Sequence, residues 1–379
     1  MRREAADLAP VLALIIAGDA LDVSAEIASL EPQVLLTGAA EHDVVPLVAE
    51  RLLRLPGVPP RLADRLLEQA HAAAVADLVR ESEIRRFVEA LDRAQRGALL
   101  VKGSHLAYTH YSRPDLRARV DTDVLIPRSA LTAVHEVLTQ QLGYEPSNRV
   151  FHDLTAPQRA YFRRTAFGAH AFDIHWQLSS PRVFATMPSY ESMMADAQPV
   201  PQLGSAARVP SAVHALLIAC VHRVAHHLDA PDLKWLFDIH LIARRFSAQE
   251  WERFVALATR HQVRNVCQRS LVVAAQWFAT PLPERIQSGE ALRTPDDQEP
   301  SAVYLEGRAM VHRVLADARL LSPHDRIRLV CQHLFPPESY IRTTYAPGSR
   351  LPMAALYSRR IVRGMSGWFR RPSGSNTSL

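Results

Sequence analysis

The chain has 379 residues, 48% hydrophobic and 22% charged, with 44 Lys and Arg against 39 Asp and Glu. That length predicts two or three domains rather than one core, and a formal charge of +5 is too small for this length to argue for a nucleic-acid partner. Cys220, Cys267 and Cys331 show neither a zinc spacing nor a disulfide framework, and no stretch approaches the ~18 apolar residues of a membrane span. A cytoplasmic protein with no transmembrane segment is expected.

Residues 1–95 read as a helical cap. LAPVLALIIAG, EHDVVPLVAERLLRL and a long run from Arg61 to Ala94 have helical apolar spacing, and PGVPP separates the last two. Leu78, Ile84, Phe87, Val88 and Leu91 are expected near one face of the long helix. Residues 96–200 change character: ALLVKG, VDTDVLIP and AHAFDIHWQL are strand-like, and SALTAVHEVLTQQLGY is an amphipathic helix ending at Gly143. Residues 201–345 return to helix. There Asp229 is expected to cap a helix with Pro231 in its first turn, PDLKWLFDIHLIARRF. Residues 346–379 form a basic tail whose Ser/Asn/Gly end has the composition of a disordered segment. The fold class is α+β, a small mixed sheet flanked by N-terminal and C-terminal helical regions.

The chemistry concentrates between Ala98 and Pro127. A short strand leads to Gly103 and Ser104 ahead of a helix, and free backbone N–H groups in such a turn suit phosphate. Asp121 and Asp123, two apart on the next strand, share a face. Carboxylates held that close repel unless a cation lies between them, and a divalent metal is the usual answer. Asp173 and His175 share one face of a third strand, with Phe172, Ile174 and Trp176 on the other. Converging carboxylates of this kind can hold one or two Mg²⁺ ions and orient an NTP. A lone D-x-D is common by chance; it is the ordered set in strand context that points to catalysis.

KGSHLAYTHY, LRARVDTDVLI, LGYE and FDIHW, followed by LLIACVHRVAHH and LKWLFDIHLI, resemble a largely uncharacterised bacterial nucleotidyltransferase family of the polymerase-beta-like superfamily. The resemblance covers nearly the whole chain. It implies a nucleotidyltransferase core over residues 96–200, with Gly103 and Ser104 as the nucleotide-phosphate turn. It also implies Asp121 and Asp123 as the metal pair and Asp173 as the third carboxylate. The activity implied is Mg²⁺-dependent transfer of a nucleoside monophosphate from an NTP, ATP among the candidates, to a hydroxyl-bearing acceptor, with release of pyrophosphate. The acceptor is left open among a sugar, a peptide or protein, and a small molecule. Thr122 stands where the family usually carries an apolar residue.

Arg117, four residues before Asp121, is placed to grip phosphate bidentately, against the bland reading of a solvated loop arginine. Lys102 either contacts phosphate or pairs with a carboxylate such as Asp123. His175 is a candidate base or hydrogen-bond donor beside the metals. Two other readings stay open: a non-catalytic or regulatory nucleotide-binding module of the same fold, and a metal phosphohydrolase using His222, His226 and Asp238. Against the latter, the histidine-rich helix lacks a His-Asp dipeptide, since His152-Asp153 and His324-Asp325 lie elsewhere. A polar seam between two helices is the expected role. The tail arginines, with Trp368 and Phe369, suit an anionic partner or a membrane surface, and a solvated tail is the default.

Overall fold

The computed structural model describes residues 8–18, 31–147, 157–166, 168–295, 298–305, 310–342 and 346–368. His152-Asp153 and the Ser/Asn/Gly end of the chain lie outside them. Helices α1 (Ala9–Ala17), α2 (Pro32–Glu41), α3 (Val45–Leu52) and α4 (Pro60–Arg93) come first. Each has proline in its first two positions, where the missing N–H has no intrahelical acceptor to lose. The two ends of α4 enter different cores. Leu62 and Leu66 join a helical core that also contains α1 to α3 and much of residues 213–304. Ile84, Phe87, Val88 and Leu91 pack on the sheet. Leu78, expected on that face, is instead 68% exposed.

The sheet is mixed, in the order β1-β2-β5-β4-β3. Its strands are β1 (Leu99–Leu100), β2 (Thr122–Leu125), β3 (Glu145–Pro146), β4 (Gln158–Thr165) and β5 (Gly168–His175). Only β2 and β5 run parallel. Helix α5 (Lys102–Thr109) leaves β1 at once, so Gly103 and Ser104 sit inside its first turn. The sharp change of direction is made at Lys102, whose φ of +53° lies in the left-handed region. For a residue with a Cβ this costs about 1–2 kcal/mol, which the surrounding sheet and helix must offset. Strands β3 and β4 were not among the expected ones. QRAYFRRT carries three arginines and no clean alternation, so its place comes from pairing with β5 along its full length.

After α6 (Leu131–Glu136), whose last turns widen over Val137–Gln141, the chain closes the sheet. It then builds α7 (Ala212–His227), α8 (Leu233–Ala243), α9 (Ala248–Arg260) and α10 (Arg264–Phe278). Helices α11 (Met310–Arg319), α12 (Pro323–Leu334) and α13 (Met353–Trp368) follow. Asp229 does not cap α8, which starts at Leu233 behind Asp232. It turns back in the left-handed region and binds the fully buried Arg223, with Arg269 3.0 Å away. A buried guanidinium demands a counter-ion more strongly than an exposed helix end demands a cap.

Thr122, the residue that departs from the family pattern, is completely buried. Its hydroxyl lies 3.1 Å from His170 Nε2, and His170 Nδ1 lies 2.7 Å from the Tyr144 oxygen. Tyr144 donates to Glu83 Oε2 at 2.7 Å. One proton arrangement satisfies the chain: Thr122 donates to Nε2, Nδ1–H donates to Tyr144, and Tyr144 donates to Glu83. Thr122→Val should therefore destabilise by about 1–3 kcal/mol, the cost of a buried acceptor left unpaired. Urea unfolding checks this, and an unchanged midpoint would remove the network from the account.

Burial holds several imidazoles neutral. His170 is pushed down to about 3, by burial first and then by Arg80. His110 is pushed down to about 4 by burial and Arg245, and His105 lies well below its usual value. An unfolded chain protonates these rings near 6.5, so it binds more protons than the folded one at lower pH. Their contribution is intact above pH 6.5 and is lost as pH falls from there toward 4 and then 3. Replacing His170 with Gln should flatten the stability-versus-pH curve in that window relative to wild type; parallel curves would contradict the assignment.

Candidate active site

Register builds the centre. Along the parallel pair, Asp123 lies opposite Asp173 and Leu125 opposite His175. Successive strand residues alternate faces, so Asp123, Asp173 and His175 share one face, while Phe172, Ile174 and Val124 pack toward α4 on the other. Asp123, Asp173 and His175 each offer a ligand atom within 4.8 Å of the other two. His175 Nε2 is 2.8 Å from Asp123 Oδ1 and 3.9 Å from Asp173 Oδ2. Lys102 Nζ lies 2.7 Å from the same Asp123 oxygen and 3.4 Å from His175 Nε2. The lysine thus takes the carboxylate-pairing role, carried there by the left-handed turn.

Asp121 differs from expectation. It lies in the bend just before β2, whose ladder starts at Thr122, and it is not in the tight three-residue cluster. No strand pairing fixes it. It nevertheless feels the cluster: burial, then Asp123 and Asp173, push its carboxyl up to about 6 against the pull of Lys102 and Arg80. Burial also raises Asp173. Asp123 goes the other way, because Lys102 and His175 outweigh the effect of burial and hold it well below the carboxylate range. Burial and neighbouring carboxylates make Asp121 and Asp173 costly to ionise, a cost that a cation beside them would relieve.

The donor set fits a divalent cation. Asp173 Oδ1 is buried with no hydrogen-bond partner among the described residues, while Oδ2 accepts from Gln158 Nε2 at 3.0 Å. Hard carboxylate oxygens beside one imidazole make a donor set that suits a divalent cation. Ser104 Oγ in the first turn of α5 is likewise buried and without a partner among the described residues. The first-turn amides of that helix have no intrahelical acceptors. At Gly103 a Cβ would stand 3.3 Å from Arg119 Cγ and 3.4 Å from Arg117 Nη1, so the glycine lets both arginines cross the helix start.

Arg117 does not reach for phosphate in this structure. It is buried, and its fork is fully engaged. Nε and Nη2 donate to Asp238 Oδ1 and Oδ2 at 2.8 and 2.6 Å, and Nη1 donates to the Ala118 carbonyl at 2.6 Å. The Tyr111 hydroxyl donates to Asp238 Oδ1 at 2.7 Å, and the Trp235 ring lies 5.0 Å from the guanidinium carbon. Asp238 wins because a carboxylate inside the apolar helix α8 is stable only when paired. The pairing fastens the loop before Asp121 to the C-terminal helices.

The same pairing removes Asp238 as a metal ligand. His222 and His226 stand on α7 with ring centroids 5.0 Å apart, and His222 Nε2 faces His227 Nε2 at 3.1 Å. His227 stacks on Trp235 at 4.4 Å, and His226 Nε2 lies 3.3 Å from Ser179 Oγ. Among the described residues, the ligand cluster is the sheet centre and not these histidines. They form the polar seam between α7 and α8. Beside it runs a narrow cleft lined by Lys102, Gly103, His105, His222, Trp235 and Asp238, so the helical region borders the start of α5.

No curated protein and no solved structure matches the chain. The model of a family described as "Uncharacterised nucleotidyltransferase" matches residues 28–279, which include the sheet, α5, the cluster of Asp123, Asp173 and His175, and the Arg117–Asp238 pair. With more than half of its length matched, the chain belongs to that nucleotidyltransferase family.

Proposed function

We propose that the protein transfers a nucleoside monophosphate from an NTP to a hydroxyl-bearing acceptor, releasing pyrophosphate, with Mg²⁺ as cofactor. The observation that carries this reading is the parallel register that sets Asp123 beside Asp173, with His175 on the same face. Asp123 and Asp173, with Asp121 at the strand entrance, would hold the cation, which when bound polarises the α-phosphate and balances charge on the leaving pyrophosphate. Gly103 and Ser104 offer first-turn amides and a hydroxyl to the phosphate oxygens. Lys102 supplies a further positive charge at the same helix start. His175 orients Asp123 through Nε2. Asp173, whose Oδ1 lacks a partner among the described residues, would bring the acceptor hydroxyl beside the cation, where it is activated. The acceptor would approach through the cleft bordered by His222 and Trp235.

Incubation with α-labelled NTPs, Mg²⁺ and candidate acceptors tests the reading. Label should move to the acceptor, pyrophosphate should appear in equal amount, and a chelator should stop both. Label transfer that persists in Asp121→Asn and Asp123→Asn alike would exclude this site.

A further inference from the structure

We propose that the segment beyond residue 310 docks the protein on an anionic lipid surface. The chain's positive charge lies there. Residues 339–379 contain seven arginines between Arg342 and Arg371 and no Asp, Glu or Lys. Without them, the remainder has 37 Lys and Arg against 39 Asp and Glu, a formal charge of −2. The whole excess of the chain is thus placed outside residues 28–279, the span that the family shares. A charge concentrated in this way is read by a surface and not by the buried centre.

Apolar exposure coincides with it. Ile327 is 66% exposed and Val330 51%, three residues apart on α12, and Val362 on α13 is 68% exposed. Leu315, Leu320 and Leu351 are also exposed. Helix α13 is tied to the turn that follows α12, since the Tyr357 hydroxyl donates to the Pro336 carbonyl at 2.7 Å and its ring meets the Phe335 edge at 5.4 Å. Leu356 on α13 is completely buried. The aliphatic side chains therefore remain in water within the same C-terminal helical segment that carries the exposed Arg359.

The pairing of features selects the partner. Arginines alone would serve a nucleic-acid backbone, which has no use for exposed isoleucine and valine. A lipid surface uses both, with guanidinium groups on the headgroup phosphates and aliphatic side chains at the acyl boundary. No helix among the described residues is long and apolar enough to cross a membrane, so the attachment is to a surface.

Co-sedimentation of the full chain with vesicles tests this. The protein should bind vesicles containing phosphatidylglycerol, bind pure phosphatidylcholine far less, and release as salt rises. Neutralising Arg359, Arg363, Arg370 and Arg371 to glutamine should weaken binding on the order of a hundredfold or more. The double variant Ile327→Ser/Val362→Ser should weaken it about tenfold, with an unchanged circular dichroism spectrum because both positions are exposed. Equal binding to neutral vesicles, or no vesicle binding, overturns the proposal. So does tight binding to an RNA homopolymer that survives Ile327→Ser/Val362→Ser, which would assign the surface to nucleic acid.

Discussion

Asp123→Asn is expected to lower kcat/KM for nucleotidyl transfer by about a thousandfold or more, the scale lost when a principal electrostatic element of a transfer site is removed. Asparagine keeps a carbonyl oxygen for Lys102 and His175, which now stand 2.7 and 2.8 Å from Oδ1. It removes the charge that both of them, and a cation, require. Leaving the Lys102 ammonium beside a neutral amide in a largely buried site should cost no more than about 3 kcal/mol of stability. Pyrophosphate release reads the first effect and urea unfolding the second. Calorimetry with Mn²⁺ should show the metal isotherm lost. A folded variant that keeps its metal affinity and a tenth or more of wild-type transfer would remove Asp123 from the centre.

The second large effect belongs to stability. Breaking the Arg117–Asp238 pair from one side, by Asp238→Ala or Arg117→Ala, should cost roughly 3–5 kcal/mol, because each leaves an uncompensated buried charge. Arg117→Lys should fare little better, since an ammonium cannot reproduce two parallel bonds to one carboxylate. The double variant Arg117→Met/Asp238→Leu should recover much of the loss. Urea unfolding of wild type, Arg117→Met, Asp238→Leu and the double variant gives the cycle. A direct phosphate-gripping role predicts the opposite pattern, with KM for the NTP raised and stability kept in Arg117→Lys.

Much of the centre was legible because strand chemistry is local. Asp173 and His175 share a face by the period of two, and FDIHW states this without any tertiary knowledge. That Asp123 stands opposite Asp173 follows from parallel pairing across nearly fifty residues, which no local pattern encodes. Asp121 was over-read, since the rule that joins i and i+2 applies inside a strand and Asp121 lies one residue before it. The pairing of Arg117 with Asp238 has a partial signal in the sequence. A single carboxylate in LKWLFDIHLIA demands a buried cation, but Lys234 in the same peptide and the arginines from Arg113 to Arg119 are all candidates, and the sequence does not choose between them. Strands β3 and β4 escaped because arginine-rich QRAYFRRT has no intrinsic pattern and takes its conformation from β5. The network behind Thr122 was also beyond reach, joining Glu83, Tyr144 and His170 from three separate elements.

The parallel pairing of β2 with β5 also makes the centre a test of correct assembly. A slip of one residue would set Thr122 opposite Asp173 and send Asp123 to the side occupied by α4. Parallel neighbours meet only after the long crossover between them has folded, and here that crossover includes α6, β3 and β4. A chain in which β2 and β5 have not yet paired carries Asp123 and Asp173 apart. On the proposed reading, nucleotidyl transfer therefore requires the native register of β2 on β5, because that register is what brings Asp123 beside Asp173.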